Sequence, residues 1–305
     1  MNLAIIGGAG LLGSTTAFYA GTQNLFDEIK LIDVNPSLVT SHAMDLSQAL
    51  PSVSKTKVSV GDYADLSDCQ AILFAASKPE RVVSSREEYL KENLALVDTI
   101  CGQISAHCKD AVVITATNPA DVFNYVIWER LGFARERILG FCANDDLRFL
   151  LAVSEVTGIP FEKLDGYCIG EHVDKLIYLF SSLKADGVPL KLTEEEQQKV
   201  LEIPRNWLPA YQALKCGRTA GWTSAMMLTK MLRAVALNSG EVIPCSVILD
   251  GEYGHSGVSV GLPVRVGTGG VQEICTLDLT QQEQDRLGEI VQHLKGMIAC
   301  CQADA

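Results

Sequence analysis

The chain has 305 residues, 48% hydrophobic and 20% charged, enough apolar material for one large α/β domain or two that share a core boundary. Its formal net charge of -12, with no basic run of five or more residues, repels phosphate backbones and anionic lipid, so nucleic acid and membrane surfaces are excluded as partners. Ten dispersed cysteines without a CxxC pair fit buried free thiols in a reducing cytoplasm, and no apolar run approaches the ~18 residues of a membrane span.

Strand character begins directly after Met1, which leaves no room for a signal peptide and makes the expected location cytoplasmic. In the first half NLAIIGG, IKLIDV, KVSV, AILFAA, AVVITAT and RILGF are continuous apolar runs, the pattern of strands covered on both faces. Helical crossovers fall between 13 and 23, 37 and 50, 84 and 107, and 120 and 131. The fold class expected is therefore α/β, a doubly wound parallel Rossmann sheet over residues 1–140.

The first strand runs into GAGLLG, with Gly8, Gly10 and Gly13 at G-x-G-x-x-G spacing around Leu11 and Leu12. Gly8 is read as the tight turn, Gly10 as the point where the backbone approaches a pyrophosphate, and Gly13 as the close contact of helix and strand. Asp33 ends the second strand 20 residues beyond Gly13, where a carboxylate accepts hydrogen bonds from a ribose diol. A negative side chain there repels a 2'-phosphate, so the expected cofactor is NAD rather than NADP. ITATNPADV places Asn118 at the C-terminal end of the fifth strand, the edge where such sheets gather ligands, although an Asn-Pro pair also suits a helix N-cap.

Beyond about residue 145 the texture changes. A helix is expected over 145–157, then strands at LDGYCIG and LIYLFSSL, a helix opening at LTEEEQQKVLEI, and another over 223–238. VIPCSVILDGEYG and VSVGLPVRVG read as antiparallel strands, and Thr280 to Glu283 form a capping box for a closing helix. This half, 141–305, reads as an α+β domain and is the expected substrate domain, expected to pack on the first without a Gly/Ser linker and to leave a cleft between them. Asp145 and Arg148 share one helix face; a surface ion pair is the plain reading, but an arginine at a cleft also suits a bidentate grip on a carboxylate. His172 in CIGEHVD lies between Glu171 and Asp174, and a lone histidine on a strand is commonly a surface group.

Taken in order, GAGLLG, LIDVN, TATNP, the D-x-x-R of Asp145 and Arg148, GEHVD and LDGEYGHSGVSVGLPVRVGTGGVQEI resemble the lactate/malate dehydrogenase family over nearly the whole chain. The resemblance implies an NAD-dependent enzyme that interconverts a 2-oxo acid and a 2-hydroxy acid, working as a homodimer or homotetramer. It gives His172 the role of passing a proton to the substrate carbonyl oxygen, Asp145 that of its hydrogen-bonded partner, and Arg148 that of binding the substrate carboxylate. Arg86, on the loop ASKPERVVSSREEYLKEN, matches an arginine that polarises the carbonyl as the loop closes, and Asn118 lines the pocket of nicotinamide and substrate.

Several positions depart from the family pattern. Six residues before Arg86 stands Glu80, where the family has an arginine for a second carboxylate or a glutamine for a methyl group; Arg81 is one step away. Arg81 turned inward favours a dicarboxylate, whereas Glu80 turned inward repels one. Val173 replaces a glycine beside His172, Asp146 competes with Asp145 as its partner, and Thr219, next to Arg218, matches a position lining the substrate side-chain pocket. The altered loop also motivates an alternative, an NAD(H)-binding sensor without turnover, against which the full His, Asp and Arg set argues. No cysteine-histidine pair of suitable spacing suggests a metal, as an NAD-dependent glycosidase would require.

Overall fold

The computed structural model describes residues 1–78, 86–172, 175–215 and 221–303, apart from the side chains of 86–89, 208 and 303. Six parallel strands open the chain: β1 (Asn2–Ile6), β2 (Glu28–Ile32), β3 (Lys57–Val60), β4 (Ala71–Phe74), β5 (Val112–Thr115) and β6 (Ile138–Phe141). Their crossovers carry α1 (Leu11–Thr22), α2 (Pro36–Ala49), α3 (Arg86–His107) and α4 (Ala120–Leu131). The order β3-β2-β1-β4-β5-β6 is doubly wound, with its switch point between β1 and β4. β4, β5 and β6 are buried at every position, which is why they read as unbroken apolar runs.

The second half holds α5 (Asn144–Thr157), β7 (Leu164–Asp165), β8 (Cys168–Glu171), β9 (Lys175–Tyr178), β10 (Lys184–Ala185), β11 (Val188–Pro189), α6 (Glu194–Ala213), α7 (Trp222–Leu237), β12 (Glu241–Asp250), β13 (Ser256–Gly267), β14 (Gly270–Ile274) and α8 (Gln281–Ala303). β12 pairs antiparallel with β6 through Cys245 and Phe141, so the parallel sheet continues without a break as β12-β13-β8-β9, with β14 on β13. One apolar core extends from Leu3 to Cys301 across both halves, and a smaller one gathers Phe149, Val153, Leu183 and Val200 under α5 and α6. The two halves thus share a sheet and a core.

Local chemistry explains most boundaries. Asn35 caps α2 by accepting the Leu38 N–H, with Pro36 at the first helical position. Thr193 with Glu196, and Thr280 with Glu283, exchange the two hydrogen bonds of a capping box at α6 and α8. Two expectations need correction. LDGYCIG is split between two sheets, β7 in the small one and β8 in the large one, and between them Gly166 packs so closely on Leu183 that a Cβ there would lie 2.7 Å from its Cδ2. LIYLFSSL leaves the strand after Tyr178 and makes a short 3-10 turn at Phe180–Ser182. α6 opens in LTEEEQQKVLEI as expected and runs on to Ala213 through Pro204 and Pro209. No helix of the described residues is long and apolar enough to cross a membrane.

Candidate active site

The loop from β1 to α1 is shaped by what cannot carry a side chain. Gly7 has φ +94°, and a Cβ there would lie 2.7 Å from the Ala76 main-chain nitrogen after β4, so the two loops meet at the switch point only through glycine. The tight turn assigned to Gly8 belongs to Gly7; Gly8 has no positive φ and instead packs on Leu31 of β2. A Cβ on Gly13 would stand 2.3 Å from the Gly7 carbonyl oxygen. Gly13→Ala is expected to cost about 1–3 kcal/mol of stability and to weaken NADH binding together with it, as thermal unfolding and NADH fluorescence titration would read.

Gly10 caps α1 without a side-chain hydrogen bond, and no acidic residue stands in the first turn. The main-chain N–H groups of Leu11, Leu12 and Gly13 donate to no described residue. Uncapped donors at a helix N-terminus behind a glycine loop suit a pyrophosphate. Asp33, at the end of β2, accepts the Ala9 N–H at 3.0 Å and the Asn35 N–H at 2.9 Å. It therefore stitches the loop to the next strand and presents its carboxylate beside it, where lone pairs remain for a sugar diol. These features fit a bound dinucleotide.

Asn118 follows β5 and is exposed; a cis bond joins it to Pro119. The cap position of α4 is Pro119 with no side-chain bond, so Asn118 is not the N-cap, and its amide makes no hydrogen bond to a described residue.

Across the sheet, β8 delivers His172 to α5. Its Nδ1 lies 2.6 Å from Asp145 Oδ2, the side chains being 8% and 3% exposed. Phe141 covers the imidazole edge-on at 6.0 Å between ring centroids. The histidine is no surface group. Asp146 is turned away: its Oδ1 accepts the Cys168 N–H at 2.6 Å, and burial drives its carboxyl well above the usual range. The sequence neighbour Glu171 is buried too, with Oε2 3.6 Å from His293 Nε2 of α8. Among the described carboxylates near His172 in sequence or on α5, only Asp145 meets its ring.

Asp121, in the first turn of α4, was missed as a site residue, since an acid at a helix start is ordinary. It is 2% exposed and accepts the His172 main-chain N–H at 2.7 Å on one oxygen and the Ser246 hydroxyl on the other. Ser246 continues to Ser259 at 2.8 Å, which takes a hydrogen bond from Asn124. Burial pushes the Asp121 carboxyl up to about 6, against the pull of these donors, so it is largely ionised at neutral pH. Burial works against the charged imidazole of His172, but Asp145, through charge and hydrogen bond, and the charge of Asp121 outweigh it; Arg148 opposes them. The net result is a His172 pKa above the ordinary 6.5. Asp121→Asn keeps the shape of the contact and removes the charge. It is expected to move the alkaline fall of 2-oxo acid reduction to lower pH, read from kcat/KM profiles of the two proteins.

Arg148, one turn after Asp145, is 31% exposed with Nη1 3.8 Å from Asp145 Oδ1, an ion pair too long for a hydrogen bond. Its guanidinium donates no hydrogen bond to any described residue, although it is two-thirds covered. A fork of donors kept idle in this way suits an incoming carboxylate. The calls on Arg81, Glu80, Val173, Asp174, Arg218 and Thr219, and on the side chain of Arg86, lie outside the described residues. A cavity of about 690 Å³ lined by Lys175, Gln281, Asp285, Arg286 and Glu289 includes none of the His172, Asp145 and Arg148 cluster.

An imidazole whose charged form is favoured by one oxygen of a carboxylate, the other oxygen facing an idle guanidinium, is equipped to protonate the carbonyl of a small carboxylic acid; with a dinucleotide loop on the same sheet, the class is a nicotinamide-dependent oxidoreductase. Residues 1–140 match the family model for the lactate/malate dehydrogenase NAD binding domain, and residues 144–305 that for the lactate/malate dehydrogenase alpha/beta C-terminal domain. The chain is 27% identical to the malate dehydrogenase of Haloarcula marismortui, covering 96% of each, and 28% identical to an L-lactate dehydrogenase of Halalkalibacterium halodurans, covering 98% of this chain and 97% of that one. Among solved structures it is similar to the lactate dehydrogenase of Cryptosporidium parvum complexed with lactic acid and NAD (TM-score 0.90, 28% identity, 99% and 98% covered). The malate dehydrogenase of Aeropyrum pernix is similar to the same degree (TM-score 0.89, 28% identity, 97% of each covered). The chain belongs to the lactate/malate dehydrogenase family, and it is an NAD-dependent oxidoreductase interconverting a 2-oxo acid and a 2-hydroxy acid.

Proposed function

We propose that His172, Asp145 and Arg148 carry this reaction on a substrate whose 2-oxo carboxylate is read by Arg148 and whose substituent is read elsewhere. NAD supplies or takes up the hydride when bound. Overall, 2-oxo acid, NADH and one proton give 2-hydroxy acid and NAD. Arg148 holds the C1 carboxylate by two parallel hydrogen bonds, which fixes the carbonyl carbon. His172 keeps a proton on Nε2 and gives it to the carbonyl oxygen, while Asp145 retains the proton on Nδ1 and so sets the orientation and charge of the ring. Asn118 borders the nicotinamide and substrate, and Arg86 polarises the carbonyl. Gly8, Gly10, Leu11, Leu12, Gly13 and Asp33 hold NAD.

The observation that carries the reading is the shared carboxylate. Asp145 stands 2.6 Å from the proton donor and 3.8 Å from the arginine, so the proton and the substrate carboxylate are referred to one fixed point. The substituent falls to Glu80, Arg81 and Thr219. Comparing oxaloacetate with pyruvate at fixed NADH decides between them: oxaloacetate preferred puts Arg81 in the pocket, and pyruvate preferred puts Glu80 there. Turnover of neither, nor of longer 2-oxo acids, would favour the sensor reading.

A homodimer or homotetramer is the proposed assembly. Phe18 of α1, Met44 of α2 and Met226 of α7 are exposed apolar side chains, and α1 packs on α7 within the chain.

A further inference from the structure

Trp207 of α6 lies against Arg148, with the guanidinium carbon 5.3 Å from the ring centroid. Tyr211, one turn on, stacks on Trp207: its ring is 5.2 Å from that of Trp207 and 14° from parallel. The indole remains 42% exposed, so burial alone does not account for its place. It also sits between Pro204 and Pro209. Each proline lacks the N–H that would bond the carbonyl four residues back, so this stretch of helix is short of two hydrogen bonds and the aromatic stack has more of the ring's placement to carry.

Arg148 poses a physical problem. A long side chain with an idle fork of donors must be ordered before a carboxylate can be bound in two parallel hydrogen bonds, and Asp145, at 3.8 Å, restrains one nitrogen loosely. A second carboxylate would order it better but would occupy the donors that the substrate needs. An aromatic face orders a guanidinium through its π surface and leaves the in-plane N–H groups unused. We infer that Trp207 is a positioning residue for the substrate carboxylate: its ring, backed by Tyr211, holds the Arg148 guanidinium in the plane in which the fork meets a 2-oxo acid. The inference rests on Arg148 as the carboxylate grip. Because the contact is the same before and after the chemical step, its loss weakens binding of ground state and transition state alike.

The test compares the wild type with Trp207→Leu and Trp207→Tyr in two measurements. One is steady-state reduction of the preferred 2-oxo acid by NADH; the other is calorimetric binding of oxamate, an unreactive isostere of a 2-oxo acid, to the NADH-loaded protein. The leucine variant is expected to raise KM and the oxamate Kd together by about 3- to 30-fold. Its kcat and NADH Kd should stay within about twofold, the pattern of lost uniform binding. Tyrosine, which keeps an aromatic face, should recover most of the affinity. The exposed position makes folding robust, which circular dichroism and the melting temperature of each variant verify. An unchanged oxamate Kd in the leucine variant, a tyrosine variant as weak as leucine, or an equal loss of NADH affinity overturns the inference. Wild-type protein that binds oxamate yet reduces no 2-oxo acid overturns the dehydrogenase reading alone, and failure to bind oxamate at all overturns both.

Discussion

Replacing His172 by asparagine is expected to lower kcat for 2-oxo acid reduction by about 10²- to 10⁴-fold while NADH binding stays nearly intact. Asparagine can still face Asp145 and the substrate, but it holds no proton that it can give up near neutral pH. The carbonyl oxygen would then have to draw its proton from water, in a site where the donor is 8% exposed and covered by Phe141. On the proposed assignment NADH is held by the glycine loop and Asp33, neither of which touches His172, so its affinity has no contact with this side chain to lose. The variant also takes from the buried Asp145 its nearer partner and leaves it only the looser ion pair with Arg148, so a lower melting temperature should accompany the loss of rate. Rapid-mixing kinetics at saturating NADH, with a parallel NADH titration, separate these effects. A variant that keeps more than about a tenth of the rate would remove His172 from the chemistry.

The second large effect is expected at Arg148. Arg148→Leu deletes the fork and should reduce kcat/KM for the 2-oxo acid by about 10²- to 10³-fold, chiefly through KM, since a substrate carboxylate brought into a covered site without its partner is penalised by a few kcal/mol. Arg148→Lys should recover little, because an ammonium keeps the charge but cannot supply two parallel donors. The sign of a secondary effect follows from the titration of His172. Arg148 is a positive charge that lowers the pKa of that histidine, so its removal should move the alkaline fall of reduction slightly to higher pH. A lysine variant with near-normal KM would show that the guanidinium acts as a charge and not as a fork.

Much of this was legible in the chain because the governing constraints are local. Continuous apolar runs identify β1 to β6, since a strand covered on both faces has no polar side to alternate with. Gly13 and Asp33 stand out because their spacing follows from the length of one strand-helix-strand unit. The D-x-x-R of α5 shows its geometry through the helical repeat, and the order of motifs along the chain linked it to His172. What stayed hidden depends on contacts between distant segments. The three-residue spacing to Arg148 favours Asp145 over Asp146 as partner of the histidine, but what occupies Asp146 is not visible locally: the Cys168 N–H, 22 residues downstream, claims it. Gly7 was passed over for Gly8 because the triplet pattern draws attention to its own glycines, while what bars a side chain at Gly7 is the main chain of Ala75 and Ala76, in the loop after β4. Asp121 looks like an ordinary acid in a first turn until Ser246 of β12 and the main chain of His172 meet its two oxygens. Trp207 lies 59 residues from Arg148, on a helix whose prolines would argue for an earlier end.

The claim at the centre is that a single buried imidazole, its charged form favoured by Asp145 and Asp121, exchanges the proton of the reaction. The measurement that tests it most directly is the pH dependence of kcat/KM in both directions with the same substrate pair. Reduction requires imidazolium, so it should be full at low pH and fall as pH rises through the His172 pKa; oxidation requires the neutral ring and should rise through the same value. The expected result is one shared inflection above 6.5, displaced to lower pH in Asp121→Asn. Two unrelated inflections, or an inflection that persists unchanged in Asp121→Asn and in His172→Asn, would contradict it.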